Sequence, residues 1–411
     1  MRSRVQTQPS SGSPDIILTP VLVLAHFAFF GTVWMVMRAR GEGVGVLWYA
    51  NLSLVPGQLR PWSPFTYGLL HDSALHLSIN MLGLWVFGQG IERAVGRLHY
   101  GLFFAASVII TGLVQVAFVR LTPGADRLLP IIGASGAVAA MAGLFAVRYY
   151  RERVAILGLP RLRVPAVLLV AGLALLEMSQ AGYRLATQGA DSSANVAHFS
   201  HIAGFVLGMG WGYLTRQQRA GKTAYQISDA HEAARSGDAL SAVQRWERVL
   251  ESQPDNVIAR AELAKAWATA GDPQEAQTLF TAALEGMLRR SMRQEAARRF
   301  AEMYTLVGDL DMNPDLRFRA ASALLEYGYA EEAMRQYRRT AQETSDPEER
   351  SLAQLRAASV LTEALGRHRE AAAALSEWLK TYPDSVWISR AEQTKREAEA
   401  KAAATQQTAA D

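Results

Sequence analysis

The sequence predicts an all-α protein in two parts, a bundle of six membrane-spanning helices and then a soluble solenoid of helical hairpins. Three observations predict this. Apolar runs of membrane length crowd residues 16–215, a stretch without a single lysine. Residues 222–411 are rich in Ala, Glu and Arg and contain no such run. A Gly-x4-Ala pattern recurs through that second half, as helix-pair repeats require.

The chain has 411 residues, 50% hydrophobic and 19% charged, and those averages conceal two unlike halves. Six segments approach the roughly 20 apolar residues that a bilayer core demands. They are 16–37, 74–91, 99–119, 130–148, 164–184 and 195–214. Residues 1–15, rich in Ser, Gln and Pro, read as disordered. A membrane domain over 16–215, a linker over 216–224, a repeat domain over 225–395 and a frayed tail over 396–411 follow. The run from Ile16 to Met37 is longer than a signal-peptide core, and no Ala-x-Ala pattern follows it, so it reads as a retained span.

The net charge is +4, and the basic residues of the first half sit at the ends of apolar runs. That placement orients a chain in a membrane; it does not make a nucleic-acid surface. With the N-terminus inside, twelve basic residues fall on inner segments and six on outer ones. Both termini are then cytoplasmic, in the manner of a bacterial plasma (inner) membrane protein. The absence of cysteine excludes disulfides, thiolate metal sites and a cysteine nucleophile. There is no His-Glu-x-x-His pattern and no pair of intramembrane aspartates, so no metal or cofactor is expected.

The candidate chemistry centres on Gly133-Ala134-Ser135-Gly136, a serine between glycines at the mouth of an apolar run. A serine hydroxyl needs a base to become a nucleophile. His201 is the candidate, with His198 one turn earlier as the alternative. His201 stands above Gly204, Gly208 and Gly212, a smooth stripe that lets another helix approach closely. Gly136, Ala140 and Gly143 offer a matching face. His76 and Asn80, spaced i, i+4, share one face of the second span and can donate to a developing oxyanion together. In the predicted topology His76, Ser135 and His201 lie at one depth, about 5–10 Å below the outer surface at about 1.5 Å per residue. His71 reads as structural, and Glu177, a charge within the fifth span, receives no role.

These residues resemble the rhomboid intramembrane serine proteases. The matching pieces are His76-Leu77-Ser78-Ile79-Asn80, Gly88-x3-Glu92-x3-Gly96, Gly133-Ala134-Ser135-Gly136 with Gly143, and Ala197-His198-Phe199-Ser200-His201-Ile202-Ala203-Gly204. The resemblance covers about residues 16–215 and implies a rhomboid-like bundle. It implies a Ser135–His201 dyad without an acidic third member. It also implies an oxyanion hole from His76, Asn80 and the Ser135 backbone N–H, and substrates cut in or near a transmembrane segment. Two positions depart from the family. Ala139 stands where an aromatic often packs on the catalytic histidine, leaving Phe199 or Phe205 as support, and Ser63 follows Trp62 where an arginine is common.

In the second half, Gly237, Gly271, Gly328 and Gly366 each precede an alanine by five residues: Ala242, Ala276, Ala333 and Ala371. The pattern resembles tetratricopeptide repeats and predicts three to five helix pairs that bind an unidentified protein or peptide partner. Pro254 and Pro383 are expected to start new pairs. Two functional classes follow: an intramembrane protease with a cytoplasmic recruiting domain, or a non-enzymatic adaptor that binds transmembrane helices. All four polar site residues favour the first; Ala139 and Ser63 favour the second.

Overall fold

The computed structural model describes residues 16–156, 159–188 and 198–407. The segment predicted to be disordered, 1–15, and the start of the predicted sixth span, 195–197, lie outside them. The chain divides into two compact units, Met1–Ala224 and Tyr225–Asp411.

The first unit holds α1 Leu18–Arg40, α2 Glu42–Leu52 and α3 Ser63–Thr66, which runs into a 3-10 turn at Tyr67–Leu69. Then come α4 Ala74–Val95, α5 Arg97–Leu121, α6 Ser135–Arg148, the strands β1 Arg153–Ile156 and β2 Leu159–Pro165, α7 Ala166–Gln188 and α8 His198–Leu214. Helix α9 spans Gln217–Arg235. By length and composition α1, α4, α5 and the Ala166–Tyr183 part of α7 can cross a membrane. Helices α6 and α8 have 14 and 17 residues, short of the usual span.

The shortness of α6 has a local cause. Residues 130–134, predicted to be helical, form an extended loop. Ile131 bridges antiparallel to Leu54, and Gly133 takes φ +104°, a conformation open to glycine and closed to helix. From Ser135 on, Gly136, Ala137 and Ala139–Val147 are all buried. Small side chains make α6 the axis of the bundle, with α4, α5, α7 and α8 packed around it. The outer helices instead expose Leu24, Trp34, Leu102, Leu168 and Met178. A stripe of that kind needs lipid, and the unit is an integral membrane domain.

The all-α expectation misses a two-stranded antiparallel hairpin, β1–β2, between α6 and α7. Alternation of Arg163 with Leu162 and Val164 has the period of a strand, although its charges read first as helix-end arginines. The linker expected at 216–224 is helical from Gln217 on, because Gln, Arg, Ala and Lys favour α9 and no proline interrupts it.

Glu92 explains the Gly88-x3-Glu92-x3-Gly96 spacing. It is 1% exposed, and its carboxylate caps the start of α1. Oε1 accepts from the N–H groups of Ile17 (2.9 Å) and Leu18 (2.7 Å). Oε2 accepts from the Thr19 N–H (2.8 Å) and hydroxyl (2.7 Å). Gly88 leaves room for Thr19 and the Tyr100 hydroxyl, and Gly96, at φ +81°, turns the chain into α5. Glu92→Ala strands these donors at a cost of about 1–3 kcal/mol each. The expected result is a large drop in the thermal midpoint of the protein in detergent, read by intrinsic fluorescence; an unchanged midpoint refutes the capping role.

The second unit continues with α10 Ala239–Ser252, α11 Val257–Ala270, α12 Pro273–Arg289, α13 Arg293–Val307 and α14 Pro314–Glu326. It ends with α15 Ala330–Glu343, α16 Pro347–Glu363, α17 His368–Thr381 and α18 Ile388–Gln407. From α10 on, each helix packs on the next. Gly237, Gly271, Gly328 and Gly366 sit in turns at positive φ, and the four alanines that follow them are 0–1% exposed at the crossings. The irregular spacing has a structural source. Helix α13 intervenes in the longest gap, entered at Ser291 (φ +58°) without a glycine, and α16 has 17 residues where α11 has 14. Pro254 and Pro383 lie in turns ahead of α11 and α18, while Pro273, Pro314 and Pro347 occupy first turns. The tail expected to fray from 396 is helical to Gln407, because Ala398 is fully buried in the core. That core also holds Arg317, fully buried, donating to Gln336 Oε1 (3.0 Å) and the Leu310 carbonyl (3.1 Å), with Glu343 at 3.0 Å.

Candidate active site

The α6–α8 seam builds the site. A Cβ placed on Gly204 falls 2.2 Å from the Gly136 carbonyl oxygen, and one on Gly208 falls 2.0 Å from that of Ala140. One on Gly143 meets the Phe205 carbonyl at 2.5 Å. No side chain fits at these three positions, so the two backbones touch along the predicted stripes. The seam carries Ser135, the first residue of α6, to His201, the fourth of α8. His201 Nε2 lies 2.6 Å from Ser135 Oγ.

Both partners are held from outside the seam. The Ser135 loop is pinned by Leu54 N–H to the Ile131 carbonyl (3.1 Å), Ile131 N–H to that of Leu54 (2.9 Å) and Gly133 N–H to that of Tyr67 (3.0 Å). Tyr67 is anchored in turn by its hydroxyl, which donates to the Val108 carbonyl at 2.6 Å. On the histidine side, buried Gln115 of α5 accepts the Ser200 N–H at 2.9 Å, satisfying one of the orphan donors of the first turn of α8. Gly136 leaves space for the Ser200 and Thr111 hydroxyls.

His76 and Asn80 border the same place. A Cβ on Gly133 would meet His76 Cε1 at 3.0 Å, His76 Nε2 at 3.2 Å and Asn80 Nδ2 at 3.9 Å. Asn80 is 4% exposed, and its Nδ2 makes no hydrogen bond among the described residues. A buried donor without a partner is costly unless something else claims it. The N-cap of α6 is Ala134, whose side chain cannot bond, and the first intrahelical bond is Val138 N–H to the Ala134 carbonyl. The N–H groups at the start of α6 therefore converge on Ser135 with the positive end of the helix dipole. His76 Nδ1 lies 2.9 Å from Asp72 Oδ1. With that proton given to Asp72, Nε2 donates only when the ring is doubly protonated.

His71 packs its ring edge-on against that of His76, with centroids 5.1 Å apart. Its carbonyl accepts the Tyr49 hydroxyl, and burial, with His76 and His26 nearby, pushes its imidazole down to about 4, so it is neutral at pH 7. Burial opposes ionisation of Asp72, but bonds from Ser73 and His76 prevail and hold it below the usual carboxylate range.

The structure differs from the sequence reading at two points. Phe199 stacks on Phe118, and among the described residues neither Phe199 nor Phe205 makes a ring contact with His201. Glu177 of α7, which sequence reasoning left without a role, does touch it. His201 Nδ1 lies 3.0 Å from Glu177 Oε1, and His198 Nδ1 lies 2.5 Å from Oε2. His198 thus faces the carboxylate while His201 reaches the serine. The available signal was that Glu177 is the only acidic residue in 164–184, and an intramembrane charge usually has a partner. Gln115 and Tyr67 left no comparable signal.

Bundle and site together define an integral membrane protein with a hydrogen-bonded Ser–His pair among apolar helices. Residues 58–218 match the Rhomboid domain family. The chain is 26% identical over 210 residues to the rhomboid protease GlpG of Pectobacterium atrosepticum, covering 50% of this chain and 64% of that protein. It is 28% identical over 221 residues to the rhomboid protease GlpG of Serratia proteamaculans, covering 53% and 68%. It is 28% identical over 146 residues to the mitochondrial rhomboid protein 1 of Saccharomyces cerevisiae, covering 35% and 38%. The chain therefore spans about two thirds or less of these relatives. The matches support the rhomboid family, a family of intramembrane proteases, for the membrane unit.

Proposed function

We propose that the membrane unit is a serine endopeptidase that hydrolyses peptide bonds in or near transmembrane segments of other membrane proteins. The observation that supports it most is the 2.6 Å contact between His201 Nε2 and Ser135 Oγ. Ser135 Oγ attacks the scissile carbonyl carbon while its proton passes to His201 Nε2. The oxyanion forms against Asn80 Nδ2 and the Ser135 N–H, with His76 contributing when doubly protonated. Collapse expels the amine, which takes the proton from Nε2 and leaves an acyl-serine. Water, deprotonated by the same nitrogen, then releases the acid and restores the serine. A substrate helix must unwind before attack, which favours Gly or Pro near the cut.

In this reading the chain crosses a bacterial inner membrane six times with both termini in the cytoplasm. The second unit is then a cytoplasmic tetratricopeptide-like domain that binds a protein partner. The test is cleavage of a single-span substrate with a helix-weakened segment, by the purified full chain in liposomes, together with fluorophosphonate labelling mapped by mass spectrometry. Cleavage with the label on Ser135 supports the protease. Neither cleavage nor label on any of several such substrates leaves the non-enzymatic adaptor in its place. Asn80→Ala is expected to lower kcat by about 10²–10³-fold with a smaller change in KM, as for loss of one oxyanion donor. An unchanged kcat removes Asn80 from the oxyanion hole.

A further inference from the structure

Resting on the protease reading, we propose that Glu177 is a positioning residue that orients His201 and stabilises its charged form, so that the catalytic unit is Ser135–His201–Glu177. The geometry is that of a relay. Ser135 Oγ meets Nε2 of the ring at 2.6 Å, and Glu177 Oε1 meets the opposite nitrogen, Nδ1, at 3.0 Å. An ionised carboxylate only accepts hydrogen bonds, so the proton of a neutral His201 is drawn to Nδ1. That tautomer leaves the Nε2 lone pair facing the serine hydroxyl, as general-base catalysis needs.

His198 completes the device. Its Nδ1 lies 2.5 Å from the other carboxylate oxygen, so each oxygen faces one imidazole and both contacts favour the same carboxylate orientation. His198 and His201 are three residues apart on α8 and face α7 together. When the serine proton arrives on Nε2, the ring becomes a cation in surroundings where its side chain is only 20% exposed. A carboxylate 3.0 Å away stabilises that cation far better there than in water. The proton on Nδ1 stays on the ring throughout, and Glu177 gains and loses none. Glu177 also occupies the role left open by Ala139: it fixes the plane of a ring that no aromatic ring among the described residues stacks on.

The alternative is a tether that only holds α7 to α8. Three readouts on the full chain separate the two. Glu177→Gln keeps size and hydrogen-bonding capacity but loses the charge, and its amide can donate to Nδ1 and impose the wrong tautomer. The expected result is a fall in kcat of about 10²–10⁴-fold with KM within about threefold of wild type. Glu177→Asp restores the charge and is expected to recover part of that loss. In proton NMR of the detergent-solubilised protein, the His201 Nδ1–H, assigned by its disappearance in His201→Asn, is expected far downfield in wild type and displaced upfield in Glu177→Gln. Two results overturn the proposal: a Glu177→Gln kcat within about threefold of wild type while Ser135→Ala is inactive, or a His201 resonance indifferent to Glu177→Gln. If wild type cleaves nothing, the protease reading fails, and the resonance still decides whether Glu177 holds His201.

Discussion

Ser135→Ala and His201→Ala are each expected to lower kcat for an intramembrane substrate by at least about 10⁴-fold, and the double variant should lose little more. In the proposed protease the two groups act as one unit: a hydroxyl without its base is a poor nucleophile, and a base without the hydroxyl has nothing to deprotonate. Losses in such a unit are strongly non-additive, and the residue of activity belongs to the oxyanion donors and to binding. Both side chains are small parts of a seam made of glycine and alanine backbone, so truncating them leaves the α6–α8 contact in place. Thermal midpoints should therefore stay near wild type while turnover disappears. Multiplicative losses in the double variant would mean that the pair does not work as a unit. Cleavage surviving Ser135→Ala would place the nucleophile elsewhere.

Gly208→Ala is expected to cost activity by about 10²-fold, although no atom of residue 208 belongs to the site. The added Cβ would stand 2.0 Å from the Ala140 carbonyl oxygen and 2.8 Å from the Leu144 nitrogen, and both are backbone atoms that cannot turn aside. Relief requires α6 and α8 to separate by on the order of 1 Å, and a misplacement of that size between reacting groups costs about 10²-fold. Gly210, two residues on, is the control, since a Cβ there meets nothing within 4 Å. Gly210→Ala should leave activity unchanged and add up to about 1 kcal/mol of helix propensity. Kinetics and melting of the two variants side by side give the check. If both were silent, the close approach of the helices would not be what sets the Ser135–His201 distance.

Much of the site was legible beforehand because its constraints are local. A serine between glycines, a histidine above a Gly-x3-Gly-x3-Gly stripe and an i, i+4 His–Asn pair each have a spacing that fixes a helix face. The stripe also names the small-residue face it needs, so pairing α6 with α8 required no knowledge of the other helices. The glycine turns and buried alanines of the second unit were legible for the same reason, and the inserted α13 and the longer α16 disturbed their period.

The sequence by itself determined the division into an apolar and a polar helical part, the pairing of Ser135 with His201, and the turn-and-crossing rhythm of the second unit. Hydrophobic period and glycine placement act over a few residues and need no partner to be read. Only the tertiary structure decided what fills the space around the pair. Glu177 and His198 lie 21 residues apart in the chain, and Gln115 and Ser200 lie 85 apart. A lone carboxylate in an apolar run announces that it has a partner, but which partner depends on how α7 is turned against α8. That rotation is a property of packing, and no repeat or spacing in the chain encodes it.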